Sequence, residues 1–303
     1  MPELPEVETM RRGIAGVAGA RIIAAEFPRS RVRPLSIQPR PAALGPRLAG
    51  RTITAVQRRG KRIVLELAGS APADTRWLAI EPRMTGLMLV ADPPSPEHVR
   101  LVLHVEPPGR RKEPARLLFW DRRGLGTIRL HDRAGLEAAC GCHKLGPDGL
   151  EVTGADLTSR LKDSRRAVKV ALLDQRAVAG IGNIYAAEIL FRVGIDPRAP
   201  CRRLTRDVWE RIAAATRIVL AEAVRLEGSS IGDETYRTAD NRAGRFQNKH
   251  RVYGLEGAPC AACGTSIVRI VQAQRATFFC PTCQRRPGAR AKARGRVRRD
   301  GVV

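Results

Sequence analysis

No stretch of this 303-residue chain approaches 18 consecutive apolar residues, which argues against a membrane-spanning helix. The opening Met-Pro-Glu-Leu-Pro-Glu lacks the basic and then apolar run of a secretory signal, so a soluble, cytoplasmic protein is expected. Acids are scarce too: 30 Asp and Glu face 54 Lys and Arg, a net charge of +24. Such an excess is self-repelling in a compact fold and usually serves a polyanion, nucleic acid ahead of acidic lipid. An arginine-biased genome would give the same composition. A hydrophobic share of 43% excludes wholesale disorder, and the length suits two domains.

Seven cysteines, an odd number, do not make a disulfide framework. Four form two short pairs, Cys260-x2-Cys263 and Cys280-x2-Cys283, separated by sixteen residues. Four thiolates on two such turns, brought together by a hairpin, are a tetrahedral site for one structural Zn2+. The intervening residues supply that hairpin: a strand over 266–271, a turn over 272–275 and a returning strand over 276–279. Cys140-x-Cys142 followed by His143 is a much weaker metal pattern, and Cys201 reads as a lone thiol.

The period changes once along the chain. Alternating apolar and polar residues predict strands at 51–57, 61–67, 100–105, 115–120 and 126–130, the pattern of a β-sandwich or barrel. Before them Leu4, Val7, Met10 and Ile14 share one face of a helix over 4–14. After a Gly- and Pro-containing connection the period becomes 3.6, with helices predicted at 154–162, 164–176, 183–193 and 205–226. The fold class is therefore α+β. Its expected parts are an N-terminal β-sandwich with its leading helix (1–133), a linker (134–152), a helical domain (153–253), a zinc finger (254–286) and a basic, disordered tail (287–303).

The first residues carry chemistry. Removal of Met1 exposes Pro2 as a secondary amine, which condenses with an aldehyde carbon to an iminium as a lysine does in a Schiff base. Glu3 and Glu6 stand one helical turn apart beside it, able to exchange protons. Taken alone, the same residues also suit plain helix initiation, with prolines shaping the first turn and acids facing the helix dipole.

They do not stand alone. The segment from Pro2-Glu-Leu-Pro-Glu to Arg11-Arg12-Gly13 resembles the start of the formamidopyrimidine-DNA glycosylases. The resemblance continues through Gln57-Arg-Arg-Gly-Lys61, Met84-Thr-Gly86, Asp121-x-Arg123, Lys144-Leu-Gly-Pro147, Gly180-Ile-Gly-Asn-Ile-Tyr-Ala186 and Gln274-Arg-Ala-Thr-Phe278 in the four-cysteine finger. It implies a bifunctional enzyme on damaged double-stranded DNA, acting as a monomer, nucleoid-associated if bacterial. The damaged base is flipped from the stack, and Pro2 attacks C1′ of its sugar. Glu3 handles the proton at the ring oxygen, and β,δ-elimination then cuts the strand. Glu6 supports the site, and Lys61 matches the family lysine near the damaged nucleotide.

The same resemblance implies DNA contacts. Gly180–Asn183 matches the family's helix–two-turn–helix, with Asn183 and the amides opening its helix facing phosphate and Lys169 joining them. Asn183 is also a good helix cap. Arg275 at the hairpin tip matches the arginine that grips phosphates around the lesion. Met84, Arg123 and Leu125 match the wedge that fills the hole left by the flipped base, with Arg123 facing the orphaned cytosine.

Two positions depart from the family pattern. Leu125 stands where Phe is common, so it wedges without stacking. Glu81 stands where His is typical and cannot contact phosphate as a histidine does, a loss that Arg83 nearby would offset. Oxidised purines are the expected lesions. The endonuclease VIII type, for oxidised pyrimidines, usually begins Pro-Glu-Gly-Pro-Glu, so Leu4 favours the purine branch. A non-catalytic zinc-finger DNA-binding protein is the other alternative, and the presence of Pro2, Glu3 and Lys61 together argues against it.

Overall fold

The computed structural model describes residues 2–30, 33–107, 115–231 and 236–287. The tail expected to be disordered after residue 287 lies outside them, as does part of the loop around 229–246.

The first helix, α1 (Leu4–Gly13), begins where Pro5 pre-sets the backbone and Glu6 reaches back to the Glu3 N–H at 2.8 Å, closing a capping box. It is less amphipathic than the periodicity predicts, because Glu6, Glu8 and Thr9 are buried together with Leu4, Val7 and Met10. The reason is packing on both sides. Val7, Met10 and Ile14 belong to the core of the N-terminal sheet, whereas Leu4 belongs to the core of the helical half.

Nine strands of the N-terminal half form one hydrogen-bonded sheet. They are β1 (Arg21–Glu26), β2 (Ser36–Gln38), β3 (Thr52–Arg59), β4 (Arg62–Ala68), β5 (Arg76–Glu81), β6 (Gly86–Leu89), β7 (Val99–Glu106), β8 (Ala115–Asp121) and β9 (Thr127–His131). Their order is β2-β9-β5-β4-β3-β1-β7-β8-β6, antiparallel throughout except for β2 on β9. Ile63, Leu65 and Ile80 from one end share a core with Leu101, Leu103 and Phe119 from the other, so the sheet folds over as a sandwich. Helix α2 (Pro41–Leu48) covers β1, inserting Leu44 and Leu48.

The stretch 134–152, expected as a plain connection, opens on a helix, α3 (Arg133–Cys140), capped by the Asp132 carboxylate on the Gly135 N–H at 2.7 Å. The helical half then comprises α4 (Gly154–Leu161), α5 (Val168–Leu172), α6 (Asn183–Val193) and α7 (Arg206–Arg225). Helix α5 is much shorter than the predicted 164–176. Ala167 pairs in extended conformation with Pro200, so the helix starts only after it. Strands β10 (Val268–Gln272) and β11 (Arg275–Phe279) make the finger hairpin. Its two-residue turn is Ala273-Gln274, both at positive φ, which sets Arg275 at the start of β11 rather than within the turn. No helix among the described residues is long and apolar enough to cross a membrane.

Candidate active site and nucleic-acid interface

The start of α1 is pressed against the start of α6. Glu3 and Glu6 are each 1% exposed. The Glu3 carboxylate accepts the first amides of α6, from Ile184 at 2.9 Å and Tyr185 at 3.4 Å. The anion position at this helix start, which the sequence assigns to phosphate, is thus filled by the protein's own carboxylate. Asn183 is not the cap; Gly182 is, and a Cβ there would overlap the Glu3 carboxylate. Gly180, at φ +101°, makes room for Leu4 in the same way.

Glu6 is the hub of the network. One oxygen accepts from the Tyr185 hydroxyl at 2.5 Å and the Ser229 N–H at 2.9 Å, and the other accepts from the Glu3 N–H. Burial pushes its carboxyl above the ordinary range, reinforced by the charge of Glu3 and opposed by these hydrogen bonds. Ser229 also meets His250, its Oγ 3.1 Å from Nε2. Desolvation holds that imidazole down at about 4, so it is neutral near pH 7. The sequence reading missed Tyr185, Ser229 and His250. Tyr185 stood in a quoted motif, but nothing local marks the other two.

Lys61 follows β3 and the tight turn at Gly60. Its ammonium is pushed down by desolvation, held up by Glu3, Glu6 and Glu81, and lowered further by Arg275. Arg275 is exposed, and Lys169 is 1% exposed. Lys169 donates to Asn183 Oδ1 (2.6 Å), Thr277 Oγ1 (2.7 Å) and the Ala276 carbonyl (3.1 Å), and desolvation lowers it to about 8. All three of its protons are committed to protein, so it ties α6 to the finger hairpin instead of facing outward. Asn183 completes that tie through Nδ2 to the Ala276 carbonyl at 3.0 Å.

On the sheet side, Met84 is 36% exposed, Arg123 is exposed and Leu125 is partly buried. Asp121 joins their two loops. It accepts from the Thr85 hydroxyl, the Arg123 N–H (3.2 Å) and the Gly126 N–H (2.8 Å). Glu81, the departing position, forms ion pairs with Arg62 at 3.1 Å and Arg83 at 3.2 Å. Arg83 therefore serves first as a counter-ion to Glu81.

The sulfur atoms of Cys260, Cys263, Cys280 and Cys283 lie within 4.8 Å of one another. Opposing pairs are 3.4 and 3.9 Å apart. Zn–S bonds of ~2.3 Å place tetrahedral thiolates about 3.8 Å apart, so the donor set fits zinc. Backbone N–H groups of Ala262 and Cys283 point at Cys260 and Cys280 sulfurs, which favours the thiolate form. The finger is fastened to α6 by Glu188, whose carboxylate accepts the Arg251, Val252 and Tyr253 N–H groups at 2.8–3.1 Å. Cys140 and Cys142 join no such cluster among the described residues, and Cys201 is buried, its thiol pushed up to about 11 by desolvation.

Family models match this chain in three consecutive parts. Residues 1–128 match the formamidopyrimidine-DNA glycosylase N-terminal domain, 145–235 its H2TH domain, and 257–286 the zinc finger found in FPG and IleRS. The chain belongs to the formamidopyrimidine-DNA glycosylase family. A formamidopyrimidine-DNA glycosylase from Chloroflexus aggregans is 42% identical over 293 residues, covering 94% of this chain and 98% of the relative. The Thermus thermophilus MutM (FPG) crystal structure superposes with a TM-score of 0.79 at 39% identity, covering 93% of this chain and 98% of that one. A Lactococcus lactis Fpg in complex with abasic-site DNA gives 0.79 at 31% identity, covering 94% and 100%. The family expectation of a sheet domain, a helical domain and a zinc-finger hairpin is met. Within that frame Glu3, Glu6, Lys61 and Arg275 share one electrostatic neighbourhood, since Lys61 responds to the other three.

Proposed function

We propose that this chain is a base-excision-repair DNA glycosylase with lyase activity, acting on oxidised purines in duplex DNA through Pro2. The observation that carries the reading is the burial of Glu3 and Glu6 together, one turn apart, directly after Pro2. In this reading, Met1 is removed and the Pro2 nitrogen attacks C1′ as the damaged base departs. The proton that the nitrogen loses goes to the departing base, and the sugar ring oxygen takes one from protonated Glu3 as the C1′–O4′ bond opens to the iminium. β,δ-Elimination then breaks the strand on both sides of the sugar. Glu6 holds the Glu3 amide, which is the peptide joining Pro2 to Glu3, and so fixes where the amine points.

Lys61 and Arg275 are assigned to phosphates beside the lesion, and Asn183 to a phosphate at the outer side of its partly buried amide. Lys169 is assigned a bracing role behind them, because its protons are spoken for. Met84, Arg123 and Leu125 are assigned to the gap in the stack. Zinc at Cys260, Cys263, Cys280 and Cys283 supplies no chemistry to the reaction; it holds the hairpin that presents Arg275. We further propose catalytic (1–133), linker (134–152), helical (153–253) and finger (254–286) units, with one chain supplying the whole site. The substrate places the enzyme at the chromosome.

Borohydride trapping tests this. A duplex with 8-oxoguanine opposite cytosine should give a covalent adduct that peptide mapping locates on Pro2. A duplex with 5-hydroxycytosine should give much less. Stronger trapping on the pyrimidine lesion would overturn the substrate, and no adduct from protein lacking Met1 would overturn the chemistry.

A further inference from the structure

A cavity of about 490 Å³ opens between the chain leaving β1 and the start of α2. Its wall is mixed in a particular way. Phe27, Leu35 and Ile37 make it apolar, while Arg29, Arg40 and Arg100 line it with three cations and no acid among the described residues. Arg100 is the unusual member. It is the extra residue where β7 bulges against β8, between Val99 opposite Trp120 and Leu101 opposite Phe119. The bulge turns it inward beside two apolar neighbours, leaving it 4% exposed. Its Nε donates to the Asp121 carbonyl at 2.9 Å, but its Nη2 has no hydrogen-bond partner among the described residues. A buried cationic donor without a partner is costly, and such groups are normally satisfied by an anion or water.

We propose that this cavity is a second, non-nucleic-acid binding site for a small amphipathic carboxylate or sulfonate, whose anionic head pairs with Arg100 and whose apolar body lies on Phe27, Leu35 and Ile37. The volume falls in the ~300–1,000 Å³ span of small-molecule sites, which are likewise mostly apolar with a few polar anchors. Arg100 lines the cavity although its Nη2 is itself buried. Arg29 and Arg40 at the rim are exposed and attract the same charge. The site is also connected to the DNA-facing side. Arg100 holds the Asp121 carbonyl, and the Asp121 carboxylate holds the loop carrying Arg123. This inference does not depend on the proposed lesion or on Pro2.

The test uses the full-length zinc-loaded protein and the fluorescent sulfonate 8-anilinonaphthalene-1-sulfonate. One saturable site is expected, displaced by octanoate but not by octanol, which has the same chain without the charge. Arg100→Met should weaken binding at least tenfold. Ile37→Trp, which fills the cavity and leaves Arg100 in place, should do the same while melting like the parent. Unchanged affinity in both variants, or displacement by octanol as effective as by octanoate, would overturn the proposal. Displacement of the dye by an undamaged duplex would overturn it as well, by making the cavity part of the DNA footprint.

Discussion

Glu3 sits where a helix would otherwise offer its first amides to an outside anion. The amides of Ile184 and Tyr185 orient its carboxylate, and no cation is bonded to it among the described residues. Glu3→Gln keeps the size and loses the proton transfer. It should slow base excision by about 10²-fold or more, with duplex affinity nearly unchanged; single-turnover rates and a binding isotherm check this. His250 gives a prediction in pH. Its folded value is about 4 against an unfolded 6.5, so the unfolded chain binds more protons between those values. Stability contributed at neutral pH is therefore lost as pH falls from about 6.5 towards 4, by up to about 3 kcal/mol. Urea melts across that window should show a shallower slope for His250→Leu than for the parent. That Glu3 and Glu6 lie side by side was legible from their spacing in the sequence. His250 was not, because its partner Ser229 is twenty-one positions away.

The elements differ in how openly the sequence declares them. Helices α6 and α7 fall almost to the residue where the sequence places them; α7 is long and lies with one side on a core, whereas α6 is buried continuously from Ile184 to Leu190. Helix α5 does not fall where the sequence places it, because a backbone bridge from Ala167 to Pro200 competes for its first turn. Strands β1, β2, β5 and β6 were not singled out; β2 is three residues long and β6 is buried on both faces, so neither shows clear alternation. The junction of α1 with α6 depends on glycines whose importance only the packing reveals. Gly182→Ala should displace the Glu3 carboxylate, and we predict excision lost at least tenfold with a lowered melting temperature, read by activity and calorimetry together. The finger is stabilised separately. Removing zinc with a chelator should free the hairpin and take the Ala276 and Thr277 partners away from Lys169. Duplex affinity should fall more than tenfold while the far-ultraviolet helical signal persists; affinity that survives chelation would contradict the role given to Arg275.

On the N-terminal side, Arg58 on β3 is a polar strut to the linker. It reaches Glu8 of α1 at 3.0 Å and Asp148, beyond the linker helix, at 2.6 Å, with its side chain 9% exposed. Removing one member of a buried pair strands the others. Arg58→Met should cost about 3 kcal/mol by denaturant titration, without changing the lesion preference. The net charge of +24 acts at the same scale. Each phosphate neutralised should steepen the salt dependence of duplex binding by about 0.9 in log–log slope, so Lys61→Met should flatten it by roughly one. That the chain has a sheet half and a helical half was readable from the change of period. That the nine strands form one sheet, and that α1 belongs to both cores, was not, because both facts depend on contacts between distant residues.

The contact between the first helix and residues far down the chain has a consequence for how the enzyme is made. Glu3 is held by amides at 184 and 185, and Glu6 by the amide at 229. During synthesis Pro2, Glu3 and Glu6 are made first, yet the amides holding Glu3 follow only after about three-fifths of the chain, and the one holding Glu6 after about three-quarters. A prematurely terminated fragment therefore carries the reactive groups without the frame that arms them.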